Sequence, residues 1–143
     1  MINEYIKNVC EILKITPPDI SYDISHFPTK TTLAQCSSDG TTIYLRHITL
    51  SNPDDVFAIA HELRHIWQIR NDYDEYFTNY KTSDEIGVEA YNNQLAEIDA
   101  NAFATIIMTD LFKLRPLYNG LSKRTVDNIM ARIDIVLKSL QQL

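Results

Sequence analysis

Apolar residues recur at helical spacing over residues 2–14, where Ile2, Tyr5, Ile6, Val9, Ile12 and Leu13 share one face. Thr16-Pro17-Pro18 ends that helix. The pattern then changes period. Ile20–Ile24, Thr31–Cys36 and Thr41–Arg46 are short runs rich in β-formers, and Ser37-Ser38-Asp39-Gly40 between the last two predicts a β-hairpin. Ser51-Asn52-Pro53-Asp54-Asp55 announces a second helix: Ser51 or Asn52 can cap it, Pro53 suits the first turn, and the aspartates complement the positive end of the helix dipole. Val56, Ile59, Ala60, Leu63 and Trp67 follow at core spacing. Residues 71–83 are polar and tyrosine-rich, as in a loop. Ser83-Asp84 then caps a long helix predicted from Glu85 to Phe112. Asn119-Gly120 separates it from a last amphipathic helix carrying Val126, Ile129, Met130, Ile133, Leu137 and Leu140 on one face. Helix, small sheet, then three helices predict an α+β fold.

Composition narrows the class. A chain of 143 residues, 45% hydrophobic and 22% charged, suits a single globular domain over 1–143. A net charge of −6 with no basic stripe argues against nucleic acid as a partner. The N-terminal Met1–Lys7 lacks the basic and apolar regions of a signal peptide, and no stretch has the length of a membrane span. With no secretion signal, Cys10 and Cys36 are expected as reduced thiols in a cytoplasmic protein.

The chemistry lies in His61-Glu62-Leu63-Arg64-His65. Histidines four apart on a helix project from one face, so both rings can reach one metal ion, while Glu62 faces the same space as a base. A five-residue pattern can arise by chance, and its setting within a well-capped amphipathic helix is what gives it weight. A catalytic zinc commonly takes three protein ligands. In the following helix Glu85, Glu89, Asn93, Glu97 and Asn101 form a polar stripe, most of which suits a solvated face. Glu97 borders the apolar face of Ala96, Ala100, Phe103, Ala104, Ile107, Met108 and Leu111, whose alanines permit close helix approach. It is therefore the preferred third ligand, with Glu89 and Asp99 as the other candidates. Asn101, one turn on, can accept a hydrogen bond from the distal nitrogen of a ligating histidine. His26 and His47 lie outside this pattern and are expected to be ordinary surface or hydrogen-bonded histidines. Trp67 is expected to anchor the helix in the core.

These residues resemble the gluzincin metallopeptidases, in which His-Glu-x-x-His on one helix is followed by Glu-x-x-Ala-Asn/Asp-x-Phe-Ala on another. Here the second element is Glu97-Ile98-Asp99-Ala100-Asn101-Ala102-Phe103-Ala104. The chain is most similar to minimal gluzincins and the ImmA/IrrE type over about residues 40–108. It differs at Arg64, where that type favours Gly, and at Ile106-Ile107-Met108-Thr109, where it carries Leu-Leu-Met-Pro. The resemblance implies a zincin-like fold and Zn²⁺ bound by His61, His65 and Glu97. It also implies Glu62 as general base in hydrolysis of a protein or extended peptide, with Thr42–Arg46 as the edge strand that pairs with substrate. A tyrosine donor to the oxyanion is expected among Tyr73, Tyr76, Tyr80 and Tyr91. The alternative is a catalytically silent zincin-fold binding or sensor module.

Overall fold

Asn52 shows how directly the local sequence sets the central helix. In a computed structural model, which describes residues 1–142, its side chain accepts the Asp55 N–H at 3.0 Å, and Pro53 opens a helix of 19 residues. The described residues form seven helices and one three-stranded mixed sheet, an α+β fold. In chain order they are α1 (Ile2–Leu13), β1 (Asp19–Ser21), β2 (Ala34–Cys36), β3 (Thr42–Leu45), α2 (Pro53–Asn71), α3 (Tyr73–Phe77), α4 (Ser83–Ile86), α5 (Val88–Asn92), α6 (Leu95–Phe112) and α7 (Lys123–Gln142). No helix among the described residues is long and apolar enough to cross a membrane.

α6 is the axis of the molecule. Every residue from Ala96 to Met108 is buried, so this helix is covered on all sides rather than along one stripe. α2 and α7 pack on it, and α1 packs against α2. The Tyr5 hydroxyl on α1 donates to the Val56 carbonyl at 2.8 Å, and its ring meets Phe112 edge-on. Ile6, Val9, Leu13, Ile43, Leu45, Leu63, Ile66, Phe103, Ile107 and Ile129 form the centre of the core. Trp67 packs on this core half-buried.

Two expectations need correction. The predicted Glu85–Phe112 helix is three helices. Gly87 takes φ 87°, ψ 159°, a conformation open to glycine, and separates α4 from α5. Gln94 then takes an extended conformation before α6, where its side chain accepts the Lys81 N–H at 2.8 Å and donates to the Lys81 carbonyl at 2.9 Å. That clamp folds residues 81–94 back over the N-terminus of α6. The i,i+4 polar stripe looked continuous because these interruptions fall between its members.

The second correction concerns the sheet. β2 and β3 do form the expected antiparallel hairpin, with Gln35 opposite Tyr44 and a turn through Gly40 at φ 73°. However, β1 pairs in parallel with the other side of β3, giving the order β1-β3-β2. Thr42–Leu45 is thus the central strand, with both flanks occupied, and β1 and β2 are the two edges. Ser37 N–H donates to the Thr42 carbonyl and Arg46 N–H to the Leu33 carbonyl. Alternation then turns the backbone groups of Ala34 and Cys36 away from β3, toward the open side.

On α7 the expected face is the one that packs: Ile129 is buried and Ile133, Leu137 and Leu140 lie against the core, joined by the buried Thr125 and Val136, while Met130 is exposed. Cys10 and Cys36 are free thiols.

Candidate metal centre

His61 and His65 stand one turn apart in the middle of α2, their rings 4.6 Å apart and nearly perpendicular. Glu97 enters from the first turn of α6, where the positive end of the helix favours a carboxylate. Its Oε1 lies 3.2 Å from His61 Nε2 and its Oε2 2.9 Å from His65 Nε2, while the two Nε2 atoms are 3.0 Å apart. One ligand atom from each of the three residues falls within 4.8 Å of the others.

The outer nitrogens explain why these atoms converge. Gln68 uses its amide hydrogens on the Ala96 carbonyl at 3.1 Å and on Asp99 Oδ2 at 2.8 Å. Its Oε1 is therefore the atom facing His65 Nδ1, at 2.8 Å, and must accept. Asn101 Oδ1 stands 2.7 Å from His61 Nδ1 in the same role. With hydrogens on both Nδ1 atoms, each neutral ring presents a lone pair at Nε2 toward the other ring and toward Glu97. In that form the two nitrogens and the carboxylate are converging acceptors able to hold one cation. Tetrahedral zinc with bonds of about 2.0–2.1 Å sets neighbouring ligand atoms roughly 3.3 Å apart, close to the spacings here. The donor set and its outer partners thus fit a zinc-type ion.

The electrostatics agree. Burial disfavours a charged His65, but Glu97 outweighs it and its pKa is pushed up to about 10. Burial likewise opposes a charged Glu97, yet His65 and His61 hold it well below the ordinary carboxylate range. The cluster attracts positive charge strongly.

Glu62 borders the three. Its Oε1 accepts the outward N–H of Cys36 on β2 at 2.9 Å, and its Oε2 is 3.7 Å from His61 Nε2. The carboxylate is thereby held between the edge strand and the histidines. Of the four candidate tyrosines, Tyr80 reaches the cluster: its hydroxyl donates to Glu97 Oε2 at 2.8 Å. The Tyr80 and Tyr91 oxygens are 2.9 Å apart. Burial, then the charge of Glu97, raises Tyr80 well above the usual phenol range, so it stays a donor. Tyr76 instead contacts Arg132, and Tyr73 is exposed.

The remaining candidates lie elsewhere. Glu89 accepts from Ser122, Thr125 and Asn93 on the far side of α5. Asp99 is fully buried against Arg64 and Arg132. His47 stands beside Asp55, and His26 is exposed. Gln68 is the residue that the motif reading missed. It lies three positions after His65 on the same helical face, a spacing that could have signalled it.

Two clefts reach the cluster. One, of about 480 Å³, is lined by Ala34, Gln35 and Cys36 of the edge strand with Glu62, His65 and Tyr80. The other, of about 720 Å³, lies on the His61 side and is largely apolar, with Phe57, Met108, Leu117, Tyr118 and Leu121 in its walls. In comparisons with known proteins, no family model, no curated protein and no solved structure matches the chain.

Proposed function

We propose that this chain is a zinc-dependent endopeptidase of zincin-like fold, related in mechanism to the minimal gluzincins it resembles, acting on a protein or extended peptide. The observation that carries the reading is the convergence of two histidine lone pairs and a buried carboxylate, with a second carboxylate at their border. His61, His65 and Glu97 would hold the ion. What zinc supplies at such a site is Lewis acidity, which brings a water proton within reach of a carboxylate near neutral pH and polarises a carbonyl.

Glu62 takes the proton from the attacking water and delivers it to the leaving amine. Its hydrogen bond from Cys36 keeps Oε1 engaged and leaves Oε2 for that transfer. Tyr80, with Tyr91 behind it, is the tyrosine donor nearest to the charge that develops on the carbonyl oxygen. The substrate pairs with the edge strand β2, which lines the same cleft as Glu62, rather than with the central strand.

Glu62→Gln tests this reading. The variant should retain stoichiometric zinc and lose cleavage of a broad peptide library, whereas undiminished cleavage would refute the role of Glu62. His61→Ala should lose the zinc. A wild-type protein that binds zinc and cleaves no peptide would instead be the silent binding module.

A further inference from the structure

Behind His65 runs a chain of buried polar groups that ends on the C-terminal helix. Gln68 holds His65 Nδ1, and Asp99 holds Gln68. Asp99 Oδ2 also accepts from Arg64 Nε at 2.7 Å, while Oδ1 accepts from Arg132 Nε on α7 at 2.9 Å and from Arg64 Nη2 at 3.3 Å. We propose that Arg132 is a positioning residue that sets the metal affinity of the cluster, acting through Asp99 and Gln68. The proposal rests on the reading of His61, His65 and Glu97 as a metal centre.

Two arginines compete for the Asp99 carboxylate. Arg64 is 1% exposed, its guanidinium carbon 3.8 Å from the Trp67 ring centroid and 5.5 Å from that of Phe103. Packed between two rings, it has little freedom to move. Its Nη1 has no hydrogen-bond partner, and its Nη2 bond to Asp99 is the longest of that carboxylate's contacts. Arg64 already forks both Asp99 oxygens, and its long bond goes to Oδ1, the oxygen it shares with Arg132, so that arm of the fork is free to shorten if Arg132 is removed. Arg132, bonded to Oδ1 and steadied by the Tyr76 hydroxyl at 3.1 Å, pulls from the other side. While both arginines pull, Asp99 Oδ2 stays on the Gln68 amide. Without Arg132, Asp99 turns toward Arg64, Gln68 loses an acceptor for one of its hydrogens, and its amide is free to rotate. His65 then loses the acceptor that fixes its tautomer.

The two histidines supply their own control, because His61 depends on Asn101 and stands outside this chain of contacts. In the zinc-loaded protein, the dissociation constant measured by chelator competition should rise about tenfold for Arg132→Leu, the lower end for partners of metal ligands. Arg132→Lys should restore most of it. Histidine nitrogen–proton NMR should show the His65 Nδ1 proton exchanging faster in Arg132→Leu, with that of His61 unchanged. Circular dichroism at the same temperature establishes that the variant is folded. Should it misfold, Arg132→Gln, which retains a donor but not the charge, carries the same expectation with a smaller change. Unchanged zinc affinity with both histidine protons unaffected would overturn the proposal, as would equal disturbance of both histidines, which marks general loosening. A wild-type protein that takes up no zinc would defeat the metal-centre reading itself, and this proposal with it.

Discussion

Asp99 is where the buried polar chain behind His65 meets both arginines. It is fully buried, and burial alone would favour its neutral form, yet the hydrogen bond and charge of Arg64, with Gln68 and Arg132, hold it below the ordinary carboxylate range. Replacing it strands Arg64, also buried, without its carboxylate partner. Asp99→Ala should therefore destabilise the metal-free protein by about 3–5 kcal/mol, the cost of leaving one member of a buried pair uncompensated. Urea denaturation measures this, and a loss below about 1 kcal/mol would show that water replaces the missing carboxylate. Arg64 stands where the resembled proteins favour glycine. The structure accounts for the difference through the carboxylate and aromatic rings that enclose the guanidinium.

Among elements, the join between α5 and α7 has a titratable fastening. Ser122, Thr125 and Asn93 donate to Glu89, and Ser122 Oγ in turn accepts the Thr125 N–H in the first turn of α7. The hydrogen bond from Ser122 is the largest influence on Glu89 and, with those from Thr125 and Asn93, outweighs the opposing effect of desolvation and lowers its pKa below the usual 4.5. A carboxyl depressed in the folded state binds its proton more readily when unfolded. Its stabilisation is thus present above the usual value and is lost as pH falls through the depressed one. Wild type and Glu89→Gln should differ in urea midpoint at about pH 6 and converge near about pH 3. A constant difference across that range would assign the effect to shape rather than charge. Glu89 illustrates the limit of reading a polar stripe by period: Glu85, Glu89 and Glu97 share a spacing, but Gly87 and the Gln94–Lys81 clamp send them to different surroundings.

For the molecule as a whole, the two clefts on either side of the cluster differ in character. One carries strand backbone and tyrosines, the other Phe57, Met108, Leu117 and Leu121 between α2, α6 and the segment before α7. If the proposed peptidase reading holds, cleavage-site profiling should find a bulky apolar residue beside the scissile bond, and a flat profile would count against use of the larger cleft. By itself the sequence determines α1, α2, the β2–β3 hairpin and the existence of α7, because caps, turns and helical spacing act over a few residues. It also singles out His61, Glu62, His65, Glu97 and Asn101, since i,i+4 spacing on a helix is local geometry. Tertiary structure decides what surrounds them. Parallel pairing of β1 with β3 makes β3 the central strand and leaves β2 as the edge beside Glu62. A chain reversal brings Tyr80 to Glu97, and Gln68 is oriented by Asp99 under an arginine from α7. Those contacts join residues far apart in the chain, and only the packing of α2, α6 and α7 brings them together.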